Sequence, residues 1–436
     1  MNLSRGKSAL SANPMLPHDL TATEAAAAIS AGSLTAETLA RSCLEKAAAL
    51  EPAVHAFAYL NPDQVLDAAR ELDKGSTTGA LRGVPFVAKD IIDSHDMPTG
   101  YGSPIYKGAQ PFADASPIAM ARAAGGLLLG KTVTTEFANL SPNETANPLD
   151  TARTPGGSSS GSAAAVAARM SPLAYGTQTT QSTIRPAAFC GVHGYCPTQG
   201  DFRMAGVREA AGTFDRLGLI TRSLDDIALL RAVLLRAPTP KLEATKPRIG
   251  ICRDLVWDEV DPALRNDIGA AASRLEAAGA SIRDIKLPPE FAALPDTHRP
   301  ISAYEFARNF AFEIDQHWDQ ISQRLRDGRI TDGLNTSLAD YKFALAHMYR
   351  CQAMLPALFA DVDVILTPSA LGEAPLGIDA TGSAAVGAVW TPLFLPCVTL
   401  PVFTGPNGLP MGLQVLGPLH GDDAMLAHAK WIEQAL

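Results

Sequence analysis

Thr154-Pro155-Gly156-Gly157-Ser158-Ser159-Ser160-Gly161-Ser162-Ala163-Ala164-Ala165 is the stretch on which the reading of this chain turns. Its composition is that of a Gly/Ser linker, yet a linker would continue into polar, low-complexity chain. This one runs into Ala163–Met170, a segment of good helix formers. A serine-dense loop that feeds a helix is a built element, and its hydroxyls are candidates for chemistry. Twenty residues beyond Ser162 stands another hydroxyl, Ser182, in Gly176-Thr177-Gln178-Thr179-Thr180-Gln181-Ser182-Thr183-Ile184-Arg185-Pro186. Upstream, Lys89 is isolated between an apolar run and an acid in Val84-Pro85-Phe86-Val87-Ala88-Lys89-Asp90.

The rest of the composition bounds the answer. With 436 residues, no internal repeat and no clear linker, the chain reads as one large domain over 1–436. Its 47% hydrophobic and 19% charged content are globular values. A net charge of −9 without any Lys/Arg run argues against a nucleic-acid partner. Six scattered cysteines, with no CxxC pair or Cys/His cluster, argue against a disulfide framework or a metal site. The start, Met1-Asn2-Leu3-Ser4-Arg5-Gly6-Lys7-Ser8, has no apolar segment after its charges, so no signal peptide is expected. The uncharged run Ala380–Gly421 is long enough for a membrane span, but Pro392, Pro396, Pro401, Pro406 and Pro410 interrupt it. The expectation is a cytoplasmic protein with no membrane segment, monomeric or homodimeric.

Helix signals open the chain: Thr21-Ala22-Thr23-Glu24, Thr35-Ala36-Glu37-Thr38 with a helix through Leu50, and Asn61-Pro62-Asp63 with one through about Lys74. They make 1–75 a helical N-terminal region. From Leu81, short apolar runs such as Val84–Ala88 and Gly126–Leu129 alternate with turns and helices. That texture predicts an α/β fold, a mixed, largely parallel central β-sheet covered by helices on both faces. Residues 255–360 read as a helical insertion, with helices over Asp261–Ala278, Ala303–Arg326 and Ser337–Leu355 and a short strand at Ser281–Ile285. Strands return at Asp363–Pro368 and Gly412–Leu416, and a helix over Asp423–Gln434 closes the chain.

Two motif matches fail on context. Gly125-Gly126-Leu127-Leu128-Leu129-Gly130-Lys131-Thr132 fits the phosphate-loop pattern, but its leucines want burial and β-branched Val133-Thr134-Thr135 start a helix poorly. Gly157-Ser158-Ser159-Ser160-Gly161 fits a nucleophile elbow centred on Ser159, yet the elbow needs a strand directly before it, and Asp150–Pro155 reads as loop. The histidines available for such a triad (His298, His317, His347, His420, His428) occupy no setting that marks one out.

Taken together, the Lys89, Ser158 and Ser182 segments resemble the amidase signature family, serine amidohydrolases with a Lys–cis-Ser–Ser triad. Further segments carry the resemblance along the chain: Gly130-Lys131-Thr132 with Glu136-Phe137-Ala138, Arg153–Ser158, Ile184–Gly191, Arg222–Asp226 and Gly412-Leu413-Gln414. The family places its bridging serine first in the serine run and its nucleophile 24 positions later, which is the separation of Ser158 and Ser182. The resemblance thus implies Ser182 as nucleophile, Ser158 as cis bridge and Lys89 as base, with no metal or organic cofactor. It also implies an oxyanion hole from the backbone N–H groups of Thr179, Thr180, Gln181 and Ser182.

The chemistry is coherent. A serine hydroxyl needs a base, and lysine serves only when neutral, which is rare at its free pKa of about 10.4. Burial beside Phe86, Val87 and Ala88 favours the neutral form, whereas Asp90 opposes it. The Ser158 hydroxyl, donor and acceptor at once, relays the proton. Two departures stand out. Thr180-Gln181 replaces the family's Gly-Gly before the nucleophile, and Cys196 stands before Pro197 where a lysine is usual. β-Branched Thr180 at positive φ would be an outlier, so the turn either keeps ordinary backbone angles or changes shape. The Gln181 amide is a candidate substrate contact, suited to the second heteroatom of an aryl carbamate or urea. Aromatic residues Tyr304, Phe306, Phe310, Phe312, Trp318 and Tyr341 form either core or the wall of an acyl pocket.

The expected activity is hydrolysis of a small-molecule carbon–nitrogen acyl bond (amide, carbamate or ester) through an acyl-Ser182 intermediate. Two alternatives stand beside it: an amidotransferase A-type subunit that releases ammonia from glutamine, and a non-catalytic binding protein on the same fold.

Overall fold

The computed structural model describes residues 15–75, 79–139 and 141–436; the opening residues, where no signal peptide is expected, lie outside them. Among the described residues, one sheet of eleven strands runs through the fold. In chain order these are β1 (Phe57–Tyr59), β2 (Pro85–Lys89), β3 (Leu127–Thr132), β4 (Leu173–Gln178), β5 (His193–Cys196) and β6 (Arg216–Thr221). They continue with β7 (Arg248–Cys252), β8 (Ser281–Ile285), β9 (Val364–Pro368), β10 (Cys397–Thr404) and β11 (Pro410–Leu416). Across the sheet the order is β1-β3-β2-β4-β6-β5-β10-β11-β9-β7-β8.

The sheet is mixed. Its parallel pairings lie in two trios, β3-β2-β4 and β9-β7-β8. Between the trios, and at β1, neighbours run antiparallel. Connection length explains part of this: β10 reaches β11 through a tight turn at 405–409, which only antiparallel neighbours can use. Every residue of β2, β3, β4 and β6 is buried, and since successive side chains alternate in direction, both faces are covered.

The N-terminal helices α1 (Ala22–Ser30), α2 (Ala36–Val54) and α3 (Pro62–Lys74) start where the sequence places their caps. Thr21, Thr35 and Asn61 each accept a hydrogen bond from the backbone N–H three residues on. Then come α4 (Ser116–Ala123), α5 (Ser160–Ala167), α6 (Ile184–Cys190), α7 (Leu224–Leu235), α8 (Pro262–Ala277) and α9 (Leu294–Asn309).

The region 255–360 departs from the expectation in two ways. β8 joins the sheet beside β7, so the helical excursion proper spans 289–358. The continuous helix expected over Ala303–Arg326 is broken. α9 begins earlier, at Leu294, and Phe310 leaves helical space at φ −108°, ψ 26°. There its ring packs 4.3 Å from Phe306 and 4.7 Å from Phe137. Packing decides the break where periodicity alone reads on. Short turns follow to Ile330, the last with Gly328 at φ −100°, ψ −105°.

Candidate active site

Parallel neighbours β2 and β4 end at the same edge of the sheet, and both key loops leave from there. Lys89 is the last residue of β2, and Ser182 lies in the turn between β4 and α6. The serine-rich loop does not form the expected helix start at Ala163: α5 begins at Ser160. Gly156 takes φ +83°, which admits the turn, and the Gly157–Ser158 peptide is cis.

Lys89 is fully buried, with Nζ 2.6 Å from Ser158 Oγ and 2.8 Å from Thr177 Oγ1. Burial pulls its pKa down to about 7, opposed by the charge of Asp215. Asp90, the acid expected to oppose, faces Lys131 at 3.3 Å instead. Lys131 also donates to Thr99 Oγ1 at 2.6 Å, so the lysine of the phosphate-loop pattern is a buried structural cation on a buried strand. Asp215 is itself buried and pushed up to about 7; it accepts from Thr179 Oγ1 and from the N–H groups of Ala210 and Ala211.

The other serines of the loop are structural. Ser159 Oγ donates to the Thr177 carbonyl and accepts from Thr177 N–H, both at 3.2 Å, which removes it as an elbow nucleophile. Ser160 donates to the Gly156 carbonyl at 2.8 Å and Ser162 to that of Tyr175 at 3.0 Å. Ser159 N–H donates to the Ser182 carbonyl, tying the two loops together. Ser158 and Ser182 line one cavity of about 410 Å³, together with Thr179, Thr180 and Gln181.

The turn before Ser182 keeps ordinary angles: neither Thr180 nor Gln181 has positive φ. Among the described residues, the backbone N–H groups of Thr179, Thr180, Gln181 and Ser182 donate to no protein acceptor. Three distant groups brace this turn. His298 Nε2–H donates to the Thr179 carbonyl at 2.9 Å, Thr391 Oγ1 to the Thr180 carbonyl at 2.6 Å, and Gln181 Nε2 to the Ser369 carbonyl at 2.6 Å. Gln181 is 1% exposed and its nitrogen is engaged with the Ser369 carbonyl, which makes it a strut of the turn; it also lines the cavity, and its Oε1 has no hydrogen-bond partner among the described residues.

Sequence reasoning missed His298, Arg185 and Arg329. His298 stacks on Phe214 at 4.4 Å, and burial holds its pKa down to about 4, so it is neutral. Arg185 donates to the Gly157 carbonyl at 2.6 Å, the Gly382 carbonyl at 2.7 Å and Thr381 Oγ1 at 3.1 Å, fixing the serine loop. Arg185, flanked by Ile184 and Pro186 in an apolar helix, gave a signal: a cation there needs buried acceptors. Of the aromatic residues offered for the pocket, Phe306 reaches the cavity; Phe312 and Trp318 are exposed, and Tyr304 stacks on Tyr341 at 4.3 Å. Among the described residues, the one group with metal-ligand character is His95, Asp96 and Asp114. Arg122 already pairs with both of its carboxylates, 2.6 Å from Asp96 and 3.2 Å from Asp114. None of the helices described is long and apolar enough to cross a membrane.

The fold and the chain both have known relatives. Residues 38–426 match the Amidase family model. The A-type subunit of the glutamyl-tRNA(Gln) amidotransferase from Acidothermus cellulolyticus is 33% identical, over 95% of this chain and 94% of its own. Among solved structures, a crystal structure of an amidase superposes with a TM-score of 0.87 at 27% identity, covering 95% of this chain and 99% of that one. The peptide amidase from Stenotrophomonas maltophilia gives 0.82 at 27% identity, covering 97% and 98%. On the extent of these matches, the chain belongs to the amidase family.

Proposed function

We propose that this protein is a serine hydrolase of carbon–nitrogen acyl bonds, with Ser182 as nucleophile, Ser158 as proton bridge and Lys89 as base. The observation that carries the reading is the 2.6 Å contact between Ser158 and a fully buried Lys89 whose pKa has fallen to about 7. A neutral amine has one lone pair and two N–H groups. One N–H donates to Thr177 Oγ1, and the lone pair faces the Ser158 hydroxyl. Ser158 O–H gives its proton to Lys89 and takes the Ser182 proton as Ser182 Oγ attacks the substrate carbonyl. The oxygen of the tetrahedral intermediate meets the unpaired N–H groups of residues 179–182. The relay then runs backward to protonate the leaving amine, and water repeats the cycle on the acyl-Ser182 ester.

A fluorophosphonate probe tests the reading. Labelling of Ser182, found by peptide mass spectrometry and abolished in Ser182→Ala, is the expected result; labelling elsewhere, or none, rejects it. A second reading follows from the 33% identical relative: glutamine hydrolysis as an amidotransferase A-type subunit. Glutaminase activity of the isolated protein, stimulated by partner subunits, would favour it.

A further inference from the structure

Among the charged residues that line the cavity there are three arginines, Arg185, Arg299 and Arg329, and no aspartate or glutamate. Two are already committed. Arg185 is spent on the serine loop, and Arg299 bonds Asp332 through Nε at 3.0 Å and Nη2 at 3.2 Å. Arg329 is different. Its one hydrogen bond to a protein group, among the described residues, goes to Ser302 Oγ. Among the described residues it pairs with no carboxylate within ion-pair distance, although it is half-buried; the charge of Asp332 reaches it, but that carboxylate is bonded to Arg299. Burial lowers its pKa only to about 10, so it is charged at neutral pH. The nearby acid Asp215 is taken by Thr179, Ala210 and Ala211 and lies outside the cavity lining.

Resting on the assignment of Ser182, we propose that the substrate is an amide carrying a carboxylate, held by Arg329, and no ammonium group. A planar guanidinium with a fixed fork of donors suits a carboxylate, and Ser302 sets the plane of that fork. A half-buried cation whose nearest acid, Asp332, is shared with Arg299 is stabilised when an anionic ligand supplies a partner of its own. An ammonium in the same cavity meets three guanidinium groups and no acid. That separates a monoamide of a dicarboxylic acid from a free amino-acid amide such as glutamine. The His298 ring does not alter the balance, since it stays neutral above about pH 4.

Three amides of one chain length test this: pentanamide (neutral), glutaramate (anionic) and glutamine (zwitterionic). The expected order of kcat/KM is glutaramate first, by at least about tenfold over each of the others. Arg329→Met should lower the glutaramate-to-pentanamide ratio by about tenfold to a hundredfold, and Arg329→Lys should restore part of it. Equal rates for glutaramate and pentanamide overturn the proposal. So does glutamine as the best substrate, or an equal fall for both amides in Arg329→Met. A second measurement separates this inference from the one beneath it: glutaramate should slow fluorophosphonate labelling of Ser182 in the wild type, less in Arg329→Lys, and not in Arg329→Met. Labelling of Ser182 that glutaramate does not slow overturns the anion site while the nucleophile stands. No labelling at Ser182 overturns both.

Discussion

The pKa of Lys89 gives the sharpest prediction, because burial sets both where the rate rises and where it stops rising. With a value of about 7, the neutral fraction is about 9% at pH 6, half at pH 7 and about 91% at pH 8. The rate should therefore climb about tenfold between pH 6 and pH 8 and level off above about pH 8. An exposed lysine would climb about a hundredfold over the same interval and keep climbing toward pH 10. Asp215→Asn removes the charge that props the value up, so its rising limb should move to lower pH. The assay is kcat/KM for an amide substrate across pH 5.5–9.5, with melting temperatures recorded at each point. Those melting data matter because Lys89 also couples pH to stability. The folded state binds fewer protons than the unfolded state between about pH 7 and the ordinary lysine value, so stability from this group rises with pH across that window. A limb centred above pH 9, or a rate falling from pH 6 to pH 8 in folded protein, would refute Lys89 as the buried base.

Ser182→Ala should lower kcat on the order of 10⁴- to 10⁶-fold with little change in melting temperature, measured by steady-state kinetics and calorimetry. Lys89→Ala and Ser158→Ala should each cripple turnover, and the double variant should be barely worse than either, since both handle the same proton; independent, multiplying losses would contradict the relay. Arg185→Met should lower stability by about 1–3 kcal/mol for the buried Gly157 carbonyl it orphans, read from denaturant midpoints. His298→Phe keeps a ring against Phe214 but loses the bond to the Thr179 carbonyl, and should cost about fivefold in kcat, consistent with one hydrogen bond of about 1 kcal/mol, with KM less affected.

What the sequence disclosed about the site was local. The apolar flank of Lys89 and the caps at Thr21, Thr35 and Asn61 are each written within a few residues; the flank is buried with Lys89, and each cap accepts the N–H three residues on. What it did not disclose depends on residues far apart in the chain. Nothing near His298 shows that it brackets Thr179, and nothing near Gln181 shows that Ser369 takes its amide. Asp90 illustrates the same limit in charge: its sequence neighbour is Lys89, but its spatial partner is Lys131. The break at Phe310 follows from Phe137, well over a hundred residues upstream, which no helical periodicity encodes.

The bracing of the turn before Ser182 carries a consequence for assembly. Its three struts span 119, 188 and 211 residues of chain. Contacts of such sequence separation form only after the intervening loops have closed, so they fall late in folding. A nascent chain that has completed β4 and α6 already holds Lys89, Ser158 and Ser182, yet it lacks every strut. Catalytic competence is then withheld until residues 298, 369 and 391 have docked. Hydrolysis thereby reports on the last stage of folding, and local melting around α9 should silence the enzyme before the sheet itself gives way.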